Sequence, residues 1–185
     1  MLVMKNKVLI FIFIIFSQLS YANEYKSEEL DILFQKLLKI NDPYLASLLE
    51  REIWKIWSKH PKDKKLTNKL ELGKELMNEG SYKYALKVFT NVIKSDPQWS
   101  EAWNARATLL YYMKDYQRSL SDIDEVLLLE PRHFGALSGR AQISIKLKKY
   151  EKAINDLLKV KEINPSSRGD QLIEKLKGLI KGLDI

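Results

Sequence analysis

The chain of 185 residues has no cysteine, two histidines, seven glycines and five prolines. Without cysteine there is no thiolate zinc site, CxxC redox centre, cysteine nucleophile, disulfide framework or acylated anchor. His60 lies in a lysine-rich stretch and His133 follows Pro131 by two residues. Neither has a carboxylate at metal-ligand or triad spacing, so both are expected at the surface and no metal site is expected. Glycine is too sparse for a phosphate-cradling loop, and GxSxG and HExxH are missing. The acid pairs Glu28-Glu29 and Asp122/Asp124 suit a helix start and a helix face; nothing supplies the opposed carboxylates of a glycosidase cleft. No catalytic residue and no cofactor are expected. What is abundant is ordinary: 45% hydrophobic and 30% charged residues, enough to build a core, with a net charge of +7.

Lys5 and Lys7 precede an unbroken apolar run from Val8 to Phe16, and Ser20 and Ala22 hold the small-residue positions before a cut. That order predicts a secretory leader over 1–22. Nine residues of helix reach about 14 Å, under half of the roughly 30 Å hydrocarbon core, so the run is too short to remain as a span. The mature product is expected to be exported and periplasmic, which argues against ATP chemistry and nucleic-acid partners despite the basic balance.

Self-similarity organises the middle of the chain. Pro97, Pro131 and Pro165 are 34 residues apart, as are Tyr82, Tyr116 and Tyr150, and Val92, Val126 and Val160. Gly73, Ala107 and Ala141 keep a small residue at the same offset, as do Ala85, Ser119 and Ala153. Phe89, Ile123 and Leu157 keep a large apolar one. Each copy divides into two helices near its tyrosine, with Gly80, Asp115 or Lys149 expected to break the first and Ser81 or Asp115 to cap the second. The small columns mark a close helix crossing. The proline ends the second helix, because its ring opposes helical geometry in the preceding turn.

With Leu72-Gly73, Leu76, Tyr82, Ala85, Phe89 and Pro97 in the first copy and Trp103 opening the second, the chain resembles the tetratricopeptide repeat (TPR) family, whose period is 34 residues. It is also similar to small exported TPR proteins of Gram-negative bacteria. The copies are 66–99, 100–133 and 134–167. The resemblance implies an all-α, right-handed solenoid of three helix pairs. Upstream, over 23–65, Leu30, Leu33, Phe34, Leu37 and Leu38, then Asp42-Pro43 and the stripe through Trp54 and Trp57, predict a helical hairpin covering the exposed face of the first repeat, followed by a linker over Lys59 to Lys69. Over 168–185, Leu172, Ile173, Leu176, Leu179, Ile180 and Leu183 predict a capping helix. Trp54, Trp57 and Trp103 are expected in the core.

Arg106 and Arg140 occupy the place of Leu72, expected to be largely buried, and Asp122 and Asp156 occupy that of Val88, sixteen residues on. Both members change together, which predicts a structural bidentate ion pair across each helix pair.

In the TPR family the first helix of each repeat lines a concave groove. Carried onto this chain, the contact positions are Thr67, Leu70, Lys74, Met77 and Asn78, then Glu101, Asn104, Thr108, Tyr111 and Tyr112, then Gly135, Ser138, Gln142, Ile145 and Lys146. Amides, adjacent tyrosines and a methionine suit an extended peptide or protein segment. The family's clamp for a terminal carboxylate is missing, since Leu70, Lys74, Ala105, Gly135 and Gly139 stand at its positions. The resemblance thus implies a monomeric interaction module. A rival reading is a basic module that meets anionic envelope polymer or lipid through Lys59, Lys62, Lys64, Lys65, Lys146, Lys148, Lys149 and Lys152, with salt-sensitive affinity.

Overall fold

The computed structural model describes residues 28–182. The leader expected over 1–22 and Leu183 of the capping stripe lie outside the described residues. Among the described residues the regular structure is helical throughout: α1 (Glu28–Lys39), α2 (Pro43–Trp57), α3 (Lys64–Asn78), α4 (Tyr82–Ser95), α5 (Ser100–Tyr112), α6 (Tyr116–Leu129), α7 (Phe134–Lys146), α8 (Tyr150–Ile163) and α9 (Asp170–Lys181). The pairs α3/α4, α5/α6 and α7/α8 stack in order, and α9 packs on α8.

The turn inside each pair is set by Gly80, Lys114 and Lys148, again 34 residues apart, at φ of 78°, 61° and 57°. The next amide then reaches back over the helix end: Ser81 N–H to the Leu76 carbonyl at 2.8 Å, Asp115 to Leu110 at 2.9 Å, Lys149 to Ser144 at 2.8 Å. This left-handed closure satisfies carbonyls that the last helical turn leaves open. Asp115 and Lys149, expected as the breaking residues, therefore sit one place too late. Ser81 makes no side-chain cap bond, whereas the Asp115 carboxylate accepts from the Arg118 amide.

The small columns hold each crossing tight. A Cβ on Gly73 would stand 2.4 Å from the Phe89 ring, and Ser119 Oγ donates to the Ala107 carbonyl at 2.7 Å. Ala85 and Ala153 are fully buried opposite. Any larger group must push the helices apart.

The N-terminal hairpin forms, with Asp42 Oδ1 accepting from the Tyr44 and Leu45 amides at 2.8 and 2.9 Å ahead of α2. Its place differs from the expectation. It does not cover the exposed face of the first repeat; it lies along the edge made by the two corners that join one repeat to the next and the corner that leads from the third repeat into α9. Trp57 accepts through its carbonyl from Trp99 Nε1 at 2.8 Å, Asp31 accepts from Arg132 Nη1 at 2.7 Å, and the Ile40 carbonyl accepts from Ser166 Oγ at 2.7 Å. Leu30, Phe34, Leu37, Ile53 and Trp57 share one core with Phe134 of the third repeat.

The reason is legible on α3. The second repeat turns Ala102, Ala105 and Leu109 toward its predecessor, all buried, and the equivalent positions of the first repeat are Asn68, Glu71 and Glu75, all exposed. A polar face gives an apolar hairpin nothing to bury against, while Phe134 and its neighbours do. Leu72 is consequently 48% exposed rather than buried. The linker is also shorter than expected, because α3 starts at Lys64 with Asp63 accepting from the Lys65 amide at 2.7 Å.

Candidate binding channel

Arg106 donates through Nε and Nη2 to the two oxygens of Asp122, both at 2.8 Å, and Arg140 does the same to Asp156 at 2.9 and 2.7 Å. Each also reaches the second helix of the preceding repeat: Arg106 Nη1 to Thr90 Oγ1 at 3.3 Å, Arg140 Nη1 to Asp124 at 3.2 Å. The arginines thus tie three helices rather than two. Asp122 and Asp156 are buried. The hydrogen bonds it donates to Asp156 hold the Arg140 guanidinium above its ordinary value despite the opposing effect of burial. Nε, Nη1 and Nη2 of both arginines are thus all engaged within the chain.

Both histidines depart from the expected surface placement. The His133 ring is fully buried, its Nδ1 accepts from the Ala136 amide at 3.1 Å, and its Nε2 faces Glu101 Oε2 at 3.5 Å. Nδ1 as acceptor leaves the ring proton on Nε2. His60 Nε2 meets Asp96 at 2.8 Å, and its Nδ1 accepts from the Asp63 amide at 2.9 Å. Each ring closes a corner where the hairpin or linker meets the repeats.

Glu101 is the hub of a buried polar group. Lys74 Nζ stands 3.2 Å from one oxygen, and Asn104 Nδ2 donates to the other at 2.9 Å. Burial pushes this carboxyl up, but the His133 ring, the Lys74 charge and the Asn104 amide outweigh it and hold it below its ordinary value.

The first row of expected groove contacts is occupied in all three repeats, by the linker in the first, by the repeats' own ionic group in the second and by the hairpin in the third. Thr67 Oγ1 accepts from the His60 amide at 2.9 Å, Glu101 is buried in its ionic group, and a Cβ on Gly135 would stand 2.6 Å from Trp54. Leu70, expected in the groove, is fully buried in the core of the first repeat, because α3 turns it toward Phe89 and Val92. Met77 packs against that core, and Ile145 packs against the one shared with α9. Lys74 is held by Glu71 and Glu101, while Asn78 and Lys146 are exposed.

Asn104, Thr108, Tyr111, Tyr112 and Gln142 are brought together. They line a cleft of about 280 Å³ whose floor is α5 and α7 and whose far wall is Trp54 of the hairpin. Ser138 joins this cleft to two more: one of about 260 Å³ between α7 and α9, and one of about 470 Å³ between α7 and α2, walled by Tyr44 and Glu50. Sharing Ser138, the three clefts make up the candidate channel. Trp54, read from sequence as core, is half-buried: it packs against the hairpin core and also lines this cleft, a placement the sequence reading did not include. The available signal was two tryptophans three residues apart on α2, more aromatic surface than α1 alone can cover.

The eight lysines fall into two groups, one on the linker and first turn of α3, the other on the turn between α7 and α8 and the start of α8. These lie at opposite ends of the first helices and two repeats apart, so they make no single surface. Among the described residues, no helix is long and apolar enough to cross a membrane.

The helix-pair register and the paired small columns define an all-α solenoid whose helix pairs are TPR-like in fold. The family model described as anaphase-promoting complex, cyclosome, subunit 3 matches residues 78–160, from the end of α3 into α8. A TPR repeat-containing protein of Rhizobium etli is 33% identical over 103 residues, covering 56% of this chain and 50% of that protein. The chain thus spans about half the length of that curated relative. In fold it is similar to the first TPR of Spaghetti (RPAP3) bound to the HSP90 peptide SRMEEVD, at TM-score 0.61 and 23% identity over 66% of this chain and 98% of the other. It is likewise similar to the TPR2B domain of yeast Sti1 in complex with an Hsp70 peptide, at TM-score 0.54 and 24% identity over 62% and 94% of the two chains.

Proposed function

We propose that this chain is an exported adaptor that holds an extended segment of an envelope or periplasmic protein in the channel between its hairpin and the first helices of the second and third repeats. The observation that carries this reading is the meeting of three clefts at Ser138. A continuous trough with exposed Tyr112 and Gln142 at its rim suits a peptide main chain, since amides pair with peptide groups and tyrosine adds apolar area at low entropic cost. The likeness in fold to TPR domains whose structures hold chaperone peptides supports a peptide ligand. The chemistry of that ligand differs. Where the carboxylate clamp of such domains would stand, this chain has buried Leu70, ion-paired Lys74, and glycines at 135 and 139. An acidic C-terminus is therefore not the proposed ligand, and no catalytic role is proposed. Export rests on the leader-like pattern of residues 1–22.

The test is capture from envelope extract on immobilised protein, washed at low and then moderate ionic strength. Retention through the salt wash, lost in the Asn104→Ala and Tyr112→Ala double variant with unchanged melting temperature, supports the channel. Capture that washes off with salt and ignores those substitutions moves the function to the lysine groups. N-terminal sequencing of the periplasmic protein, expected to begin at Asn23, checks the leader.

A further inference from the structure

Gly139 stands in the middle of α7, where glycine costs about 1 kcal/mol relative to alanine. Nothing around it requires glycine. Its φ is not in the left-handed region, and a Cβ there would meet only Ile123 Cδ1, at an ordinary 3.8 Å. Gly135, one turn earlier, is different, because a Cβ would collide with the Trp54 ring. The packing explains Gly135 and leaves Gly139 unexplained. What Gly139 does is leave open the floor of the cleft beneath Trp54, Tyr111 and Tyr112.

That cleft has a definite chemistry. Among the described residues its lining carries no charged side chain, although Glu50 and Arg168 line the cleft that joins it at Ser138. Its inner hydroxyls are already engaged: Thr108 Oγ1 donates to the Asn104 carbonyl at 2.9 Å and Ser119 Oγ to that of Ala107 at 2.7 Å. An ionised group would enter without a counter-charge, whereas an apolar one gains contact with aromatic walls. At about 280 Å³ the volume falls below the roughly 300–1,000 Å³ of small-molecule pockets. It fits one large side chain.

We infer that the cleft between Trp54 of the hairpin and α5–α7 is a specificity pocket for a single uncharged aromatic or large aliphatic side chain of the bound segment, kept open by Gly139. This rests on the channel reading above and adds the side chain it selects. The hairpin is part of the recognition surface, since Trp54 supplies one wall.

Two measurements on the protein test it. In amide-detected NMR titrations, N-acetyl-phenylalaninamide is expected to shift the resonances of Gly139, Gln142 and Thr108 saturably, with N-acetyl-lysinamide and N-acetyl-glutamate amide giving no such shifts. Gly139→Leu should weaken the aromatic probe at least tenfold while melting no lower than wild type. Gly139→Ala is the folding control and should melt slightly higher. Equal response to the charged probes, or an unchanged response in Gly139→Leu, overturns the pocket. Peptides selected from a random displayed library separate the two readings. Shared aromatic or aliphatic anchors with tenfold weaker binding to Gly139→Leu support the pocket. Peptides that bind both forms equally but lose binding on Tyr112→Ala leave the channel standing and remove the pocket. Peptides indifferent to both changes remove both.

Discussion

The Trp57 indole stacks flat on the His133 imidazole, with ring centroids 4.0 Å apart and planes 9° from parallel. One ring ends α2 of the hairpin and the other precedes α7 of the third repeat, 76 positions later. Trp54 meets the same imidazole edge-on at 5.3 Å. The hairpin is therefore clamped to the solenoid through two tryptophans and one buried histidine.

Removing the larger half of that stack, in Trp57→Ala, is expected to cost about 3–5 kcal/mol, the range for emptying a buried aromatic site. Hydrogen exchange should rise first in α1 and α2 while α5 to α8 stay protected, because the repeats keep their own contacts. Uniform loss of protection across the chain would contradict an edge-docked hairpin.

The Arg106–Asp122 fork makes a double-mutant prediction. Asp122→Ala strands a mostly buried guanidinium and should destabilise by about 3–5 kcal/mol, while Arg106→Leu with Asp122→Val, the pair present in the first repeat, should cost much less. Urea midpoints of the two single variants and the double decide it; equal losses would mean that the pairing contributes nothing specific.

Lys114 and Lys148 hold left-handed turns that Gly80 fills in the first repeat. A side chain there is strained, so Lys148→Gly should stabilise by about 0.5–1 kcal/mol even after the added freedom of the unfolded chain. Gly80→Ala should do the reverse. Thermal melts of the two variants, read against wild type, check both signs.

Glu101 predicts the acid limb of stability. Its folded value is depressed by His133, Lys74 and Asn104 in spite of burial, so its contribution is complete above the unfolded value of about 4.5 and disappears as pH falls through the lower folded one. Urea midpoints measured from neutral to acid pH should fall faster for wild type than for Glu101→Gln below about pH 4.5. Parallel curves would show that this carboxylate is not the linked group.

Much of the fold was legible in the chain because its repeats are local. The prolines, tyrosines and small columns at 34-residue spacing locate six of the helices, and the joint change of Leu72/Val88 to Arg106/Asp122 and Arg140/Asp156 marks side chains that the structure brings together. The channel was legible in part. Asn104, Thr108, Tyr111, Tyr112 and Gln142 converge on one cleft, but Leu70 turns into the core, Glu101 is tied up by Lys74, Asn104 and His133, and Thr67 and Gly135 are met by the chain's own N-terminal segment. Their helical positions are right; what covers them is not a local property.

By itself the amino-acid order determined the helix pairs, their crossing distances and the column in which arginine meets aspartate, since each depends on residues within about one repeat. Only the tertiary structure decided where the hairpin rests, that His133 is buried and His60 half-buried, and that Trp54 walls the channel. Those outcomes follow from competition between distant surfaces. The polar Asn68, Glu71 and Glu75 face could not bury the apolar hairpin, and the corner at His133 and Phe134 could.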